Sequence, residues 1–341
     1  MQMQQVINAD NGQEMNVISD TVKSDSLAIV GMCKNAGKTT VLNALIPNMT
    51  SMILGLTSIG RDGEAVDVAT STPKPDVYVR EGTIFATARE MLPLCDVTLE
   101  ILDTTGISTA LGEVVIARAR SDGNIQIAGP STVDGLRRVY KCMKDFGSDR
   151  IIFDGAISRK SLSIPTLCDE IILCSGASYS RSLQETVRDT AFISELFCLD
   201  ENKTDFPVGK FVFCTGDRTE VFEELLGLKD FLRKERTQGH IRIRGAVTDT
   251  VLKTLIDSGL RGLDITADDP SKIMTSPAVF EKCAVRGMRF FVADKPRLCA
   301  VAVNPFSAYG SDYESGMFID EMRKRLDKLK IPVFNVKGET L

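Results

Sequence analysis

Between Gly31 and Thr40 the chain reads Gly-Met-Cys-Lys-Asn-Ala-Gly-Lys-Thr-Thr, which puts an ammonium and two hydroxyls behind a glycine-bounded loop. These groups suit a polyphosphate. Backbone N–H groups and a helix N-terminus surround the anionic oxygens. Lys38 reaches the terminal phosphates, and the Thr39 hydroxyl ligates Mg²⁺. Gly31, Lys34, Asn35, Ala36, Gly37, Lys38, Thr39 and Thr40 are therefore the expected nucleotide-contacting residues. The spacing is Gly-x5-Gly-Lys-Thr, one residue longer than the common phosphate loop. Cys33 lies inside it, where a helix N-terminus lowers a thiol pKa, so a redox role is one reading.

The loop needs a strand before it and a helix after it. Leu27-Ala-Ile-Val30 is an apolar run, and Val41-Leu-Asn-Ala-Leu-Ile46 reads as the apolar face of a helix. Further apolar strands are expected at 51–59, 77–79, 97–102, 151–153, 170–174, 210–214, 241–247, 289–292, 298–303 and 333–336. Helices are expected near 131–146, with Ser131 as cap, and near 182–197, 220–234, 249–257 and 313–329. Residues 86–92 read as a helical turn. The segments 112–119 and 125–128, with Asp122-Gly123 between them, read as a hairpin. Continuous apolar strands alternating with amphipathic helices predict an α/β fold with a mostly parallel sheet flanked by helices. The expected organisation is an N-terminal segment at 1–26 (a hairpin about Asn11-Gly12 or disordered), a P-loop domain at 27–240 and a further α/β portion at 241–341.

Phosphoryl chemistry also needs a carboxylate near Mg²⁺, at the end of a neighbouring strand. Three aspartates qualify. Asp154 follows Ile-Ile-Phe and precedes Gly-Ala; it is a candidate metal ligand and water-orienting group. Asp103 opens Asp-Thr-Thr-Gly106, which has the form of an Asp-x-x-Gly switch whose backbone N–H meets the γ-phosphate. Asp62, in Gly-Arg-Asp-Gly-Glu64, is a candidate metal ligand. Each aspartate also has an ordinary use as a helix cap or turn residue. The expected catalytic groups are Lys38, Asp154 and Asp103, and the expected metal ligands are Thr39, Asp154 and Asp62. A guanine-selecting Asn/Thr-Lys-x-Asp string is missing at Cys214-Thr-Gly-Asp-Arg218, so ATP is expected rather than GTP. Asn304-Pro305-Phe306 follows an apolar strand and reads as a turn, with a ligand loop as the alternative.

The chain has 341 residues, 43% hydrophobic and 26% charged, with a net charge of −5. That allows a large core without disulfides and does not favour a nucleic-acid surface. The nine cysteines form no Cys-x-x-Cys pair, and His240 is the lone histidine, so a zinc site is not expected. Cys174 and Cys214 read as core residues. No apolar run is long enough to span a membrane and no signal-peptide core is seen, so a reducing, cytoplasmic setting is expected.

The loop Gly31-x5-Gly-Lys-Thr resembles that of dethiobiotin synthetase and of the P-loop group containing MinD, signal-recognition GTPases and metallochaperones. Asp154-Gly-Ala is similar to the Glu-Gly-Ala segment of dethiobiotin synthetase. The MinD-type signature lysine falls at position 33, which is Cys33 here, with Lys34 one place later. Lys-Asn-Ala-Gly-Lys-Thr-Thr also resembles the loop of molybdopterin-guanine dinucleotide accessory proteins. Over its full length the chain resembles the reactivase subunits associated with lysine 5,6-aminomutase, through Val30–Thr40, Ser58-Ile-Gly-Arg-Asp-Gly-Glu64, Asp154-Gly-Ala-Ile-Ser-Arg-Lys160 and Asn304-Pro-Phe306. That resemblance implies an ATP- and Mg²⁺-dependent helper that restores an adenosylcobalamin enzyme. The implied partners are an aminomutase or a second reactivase subunit, with a second copy of the chain as another. An Asp-x-His-x-x-Gly cobalamin motif is absent from the sequence. The alternatives are a ligase or kinase of dethiobiotin-synthetase type, with Ser158, Arg159 and Lys160 lining its substrate, and a non-catalytic nucleotide-binding regulator.

Overall fold

A computed structural model describes residues 21–59, 76–156, 167–216, 218–235 and 238–336. The chain divides into two compact units, Met1–Ala191 with Arg297–Leu341, and Phe192–Pro296. In the first, the order is β1 (Ser26–Gly31), α1 (Lys38–Leu45), β2 (Leu54–Ser58), β3 (Val77–Val79), β4 (Ile84–Ala88), β5 (Leu99–Thr109), β6 (Gly112–Ala119), β7 (Gly123–Ile125), α2 (Val133–Asp145), β8 (Arg150–Ala156), β9 (Glu170–Gly176) and the start of α3 (Leu183–Phe197), whose residues from Phe192 onward belong to the second unit. The second unit holds β10 (Phe211–Thr215), β11 (Arg218–Phe222), α4 (Leu225–Glu235), β12 (His240–Ile243), β13 (Val247–Thr248), α5 (Asp249–Asp257), β14 (Asp264–Ala267), β15 (Ile273–Met274), α6 (Pro277–Val285) and β16 (Arg289–Val292). The chain then returns to the first unit with β17 (Arg297–Asn304), α7 (Ser315–Leu326) and β18 (Val333–Asn335).

The first unit is built on a nine-stranded sheet in the order β18-β17-β9-β1-β8-β2-β4-β6-β5. Every pairing from β18 to β4 is parallel; β4–β6 and β6–β5 are antiparallel. All six residues of β1 are buried, as a central parallel strand requires. Leu27 and Ile29 share a core with Val41, Leu42 and Leu45 of α1. That helix passes into a short 3₁₀ turn at Ile46–Asn48, where Pro47 removes an amide donor. α2 buries Leu136, Val139 and Met143 at helical spacing, and its cap is Thr132, one place after the expected Ser131; the Thr132 hydroxyl accepts from the Gly135 N–H at 3.1 Å.

Three local expectations change in this sheet. Asp122-Gly123 does not close a hairpin, since β7 pairs with β3. The hairpin is β5–β6, turning at Gly112 with φ +89°. Residues 84–88 are a buried strand, and the helical turn starts only at Arg89.

Glu170 ties the N-terminal ends of these strands together. Its Oε2 accepts the Lys23 and Ser24 N–H groups at 2.8 and 3.1 Å, and its Oε1 accepts Arg297 Nε at 2.9 Å. Burial alone would raise this carboxyl's pKa, but the Ser24 N–H, the Arg297 side chain and the Lys23 N–H outweigh it and hold the pKa below the ordinary value. A depressed carboxylate stabilises the fold above its unfolded pKa, and the contribution fades as pH falls through the folded one. Glu170→Gln is expected to cost about 1–3 kcal/mol near neutrality. The gap from wild type should close at acid pH, as read by urea unfolding across a pH series.

The second unit has a five-stranded sheet, β11-β10-β12-β14-β16, parallel from β12 to β16 and antiparallel at β10. Its core gathers Phe213, Leu232, Ile241, Leu252 and Ile265. His240 sits against the rings of Phe206 and Phe291, 2.6 Å from Thr266 Oγ1, and burial lowers its pKa. Cys174 is a core residue of the first unit, while Cys214 is only half-buried in the second. The units differ from a division at residue 240: β17 and β18 lie in the first unit's sheet, and residues 192–240 lie in the second. Among the described residues no helix is long and apolar enough to cross a membrane.

Candidate functional site

The loop from β1 to α1 lies at the C-terminal edge of the parallel strands, between β8 and β9. Open α/β sheets place ligands at such an edge. The loop is held from one side: Met32 N–H donates to the Cys174 carbonyl at 2.9 Å, and Asn304 Nδ2 donates to the Asn35 carbonyl at 3.1 Å. Asn35 and Gly37 take positive φ, +59° and +94°, which curls the backbone toward the helix start. A side chain at Gly37 would also come within 3.1 Å of Val336 Cγ2 and 3.3 Å of Asn304 Cβ. Gly31 answers a different need. A Cβ there would meet Lys38 Cδ and Cγ at 3.1 Å, so the lysine stem lies across the glycine.

α1 begins without a side-chain cap and without an acidic residue in its first turn. Its first N–H groups lack intrahelical acceptors by geometry. They meet no competing anion from the first turn of the helix itself.

Asp154 stands on β8, beside β1 and β2, in register with Ile29 and Ser58. Its Oδ1 is shielded and has no hydrogen-bond partner among the described residues. Burial raises the carboxyl's pKa above its ordinary value, and the Lys38 ammonium opposes that rise. A desolvated carboxylate oxygen with nothing to accept is costly. A cation bound there would satisfy it, and a carboxylate oxygen is a donor of the kind Mg²⁺ takes; the Thr39 hydroxyl is the second donor expected from the sequence.

Asp103 is not brought to this place. It lies exposed on β5, the far edge of the sheet, five inter-strand steps from β1, roughly 24 Å at about 4.8 Å each. The Gly106 N–H, which an Asp-x-x-Gly switch would offer to phosphate, donates to Glu113 Oε1 at 2.7 Å. Asp-Thr-Thr-Gly here is an irregular stretch of a long antiparallel strand, with register shifts between Ile101 and Asp103 and between Thr104 and Ser108. Asp62, Ser158, Arg159 and Lys160 lie outside the described residues. Cys33 also departs from expectation. Burial pushes its thiol up to about 11 against the pull of Lys38, so it is neutral near pH 7 and not an activated thiolate.

No protein-family model, characterised protein or solved structure matches the chain.

One group at the loop, Asn304, reads from the sequence first as part of a turn, with a ligand loop as the alternative. Asn304 ends β17, and besides its bond to Asn35 its carbonyl accepts the Ala177 N–H at 2.9 Å. It thereby joins the β1–α1 loop to the turn after β9. The signal was a polar residue closing an apolar strand and preceding a proline, but the partner lies 269 positions away. Conversely, Cys214-Thr-Gly, placed by sequence at a base-contacting position, belongs to β10 of the second unit's sheet.

Proposed function

We propose that this chain binds ATP–Mg²⁺ at Gly31–Thr40 and hydrolyses it, as the nucleotide-driven helper of an adenosylcobalamin-dependent aminomutase. The observation that carries the nucleotide reading is Asp154 on the strand beside β1: its shielded Oδ1 has no hydrogen-bond partner among the described residues, and the carboxyl feels the charge of Lys38. The loop that follows β17 reads Asn304-Pro-Phe-Ser307, again without the Lys-x-Asp of guanine binders, which supports ATP. The helper role rests on the resemblance of Val30–Thr40, 58–64, 154–160 and Asn304-Pro-Phe306 to strings of aminomutase reactivases.

In this reading the α1 amides and Lys38 hold the β- and γ-phosphates, while Thr39 and Asp154 hold the metal. Mg²⁺ held by these residues would supply charge neutralisation at the phosphate oxygens. A water oxygen adds to the γ-phosphorus as the bond to the β–γ bridging oxygen breaks, giving ADP and phosphate, with the water's proton passing to solvent. Lys38 stabilises the leaving oxygen.

Intrinsic turnover is expected to be slow and to rise with the partner enzyme present, because a helper couples hydrolysis to a change in partner affinity. Phosphate release is the measurement, made with an aminomutase and separately with a panel of small carboxylates and amines. Stimulation by a metabolite alone would replace the helper with a ligase or kinase and leave the nucleotide site intact.

A further inference from the structure

Among the described residues Asn35 is one of two other than glycine with positive φ, at +59°. Left-handed backbone is disfavoured for any residue with a Cβ, least so for asparagine, and it persists where the surroundings hold it. The Asn35 side chain is exposed, while its carbonyl is bound: Asn304 Nδ2 donates to it at 3.1 Å. The Asn304 amide is buried and used at both ends, since its Oδ1 accepts the Phe306 N–H at 3.3 Å. Its main chain is fixed as well. The Asn304 carbonyl accepts from Ala177 at 2.9 Å, and β17 runs parallel to β9 up to the Asn304–Gly176 pair. Gly176 lets these segments meet, because a Cβ there would come within 3.3 Å of Asn304 Cβ and 3.4 Å of Ala36 Cα. With Val336 against Gly37, the Asn35–Gly37 stretch is backed by the end of β9, the end of β17 and the residue just past β18, all in the first unit.

We infer that Asn304 is a positioning residue for the nucleotide site: by holding the Asn35 carbonyl it keeps Asn35 at positive φ and the β1–α1 loop in its binding form ahead of the ligand; this rests on the nucleotide reading above. A loop that must first order itself loses affinity in proportion to the time it spends in other forms, and a loop already set does not. Asn304 acts here on the backbone that takes phosphate. Its contribution is therefore the same for ATP and for a bare polyphosphate.

The test is calorimetry on the full chain with two probes, ATP–Mg²⁺ and tripolyphosphate–Mg²⁺, each variant being paired with a thermal melt. Asn304→Ala removes the amide and leaves the Cβ and the main-chain bonds. It is expected to lose about tenfold in affinity, equally for both probes. Changes at Asn35 tell positioning from general support of the fold. Asn35→Gly and Asn35→Val both remove the side-chain amide, so the difference between them reads φ. Valine resists positive φ and glycine does not, so Asn35→Val is expected to bind both probes more weakly than Asn35→Gly. The Asn304→Ala loss is expected to shrink when made on Asn35→Gly, since the two changes act on one backbone position. Unchanged affinity in Asn304→Ala, with or without a lower melt, an undiminished loss on Asn35→Gly, or Asn35→Val binding as tightly as Asn35→Gly would each overturn the positioning role and leave the phosphate loop standing. Should Asn304→Ala not fold, the valine–glycine comparison decides alone. A wild type that binds neither probe would overturn the nucleotide reading and this role with it.

Discussion

Lys38→Ala is expected to reduce ATP–Mg²⁺ affinity by two orders of magnitude or more, a loss of about 3 kcal/mol. Two effects add. The ammonium that meets the phosphate oxygens is gone, and so is the charge that favours ionised Asp154. Folding should be little affected. Alanine is a good first residue for α1, and the lysine stem lies across Gly31 without filling the apolar core. Calorimetry at fixed Mg²⁺, paired with a thermal melt, reads both quantities. A variant that melts normally and binds ATP with unaltered affinity would falsify the assignment of the loop.

Asp154→Asn separates binding from turnover. The amide keeps the shape of the carboxyl but not its charge, so hydrolysis is expected to fall by about 10²- to 10³-fold. ATP affinity should change far less, because the α1 amides and Lys38 still hold the phosphates. The apo variant should melt no lower than wild type, since a desolvated carboxylate with an unpartnered oxygen has been made neutral. Asp103→Asn, at the opposite edge of the sheet, should turn over as wild type. Normal hydrolysis in Asp154→Asn together with a dead Asp103→Asn would mean that the wrong strand end was chosen.

These two aspartates show what local sequence can and cannot carry. Both follow apolar strands, and both precede or join a glycine turn. They differ only in which strands their own strand pairs with. β8 inserts beside β1, which brings Asp154 to Lys38. β5 folds back on β6, and the Glu113 carboxylate takes the Gly106 amide. Nothing within ten residues of either aspartate encodes that choice, because strand order is decided by pairings between distant segments. Asn304 is the complementary case, a residue read as a turn that proves to hold the loop because β17 returns to lie next to β9.

Elements whose signal is local were read from the sequence: β1, α1 and the loop between them, α2, and the helix Asp249–Asp257, whose bounds match the expected 249–257. Apolar periodicity, capping residues and glycine spacing act over one or two turns of chain, so composition and order alone determined them. Tertiary structure decided the rest: which carboxylate faces the lysine, whether a cysteine is a thiol or a thiolate, and where the second unit begins and ends. Those outcomes depend on burial and on contacts between residues more than a hundred positions apart. The energy of an ionised side chain is set by what surrounds it in space and not by its neighbours along the chain.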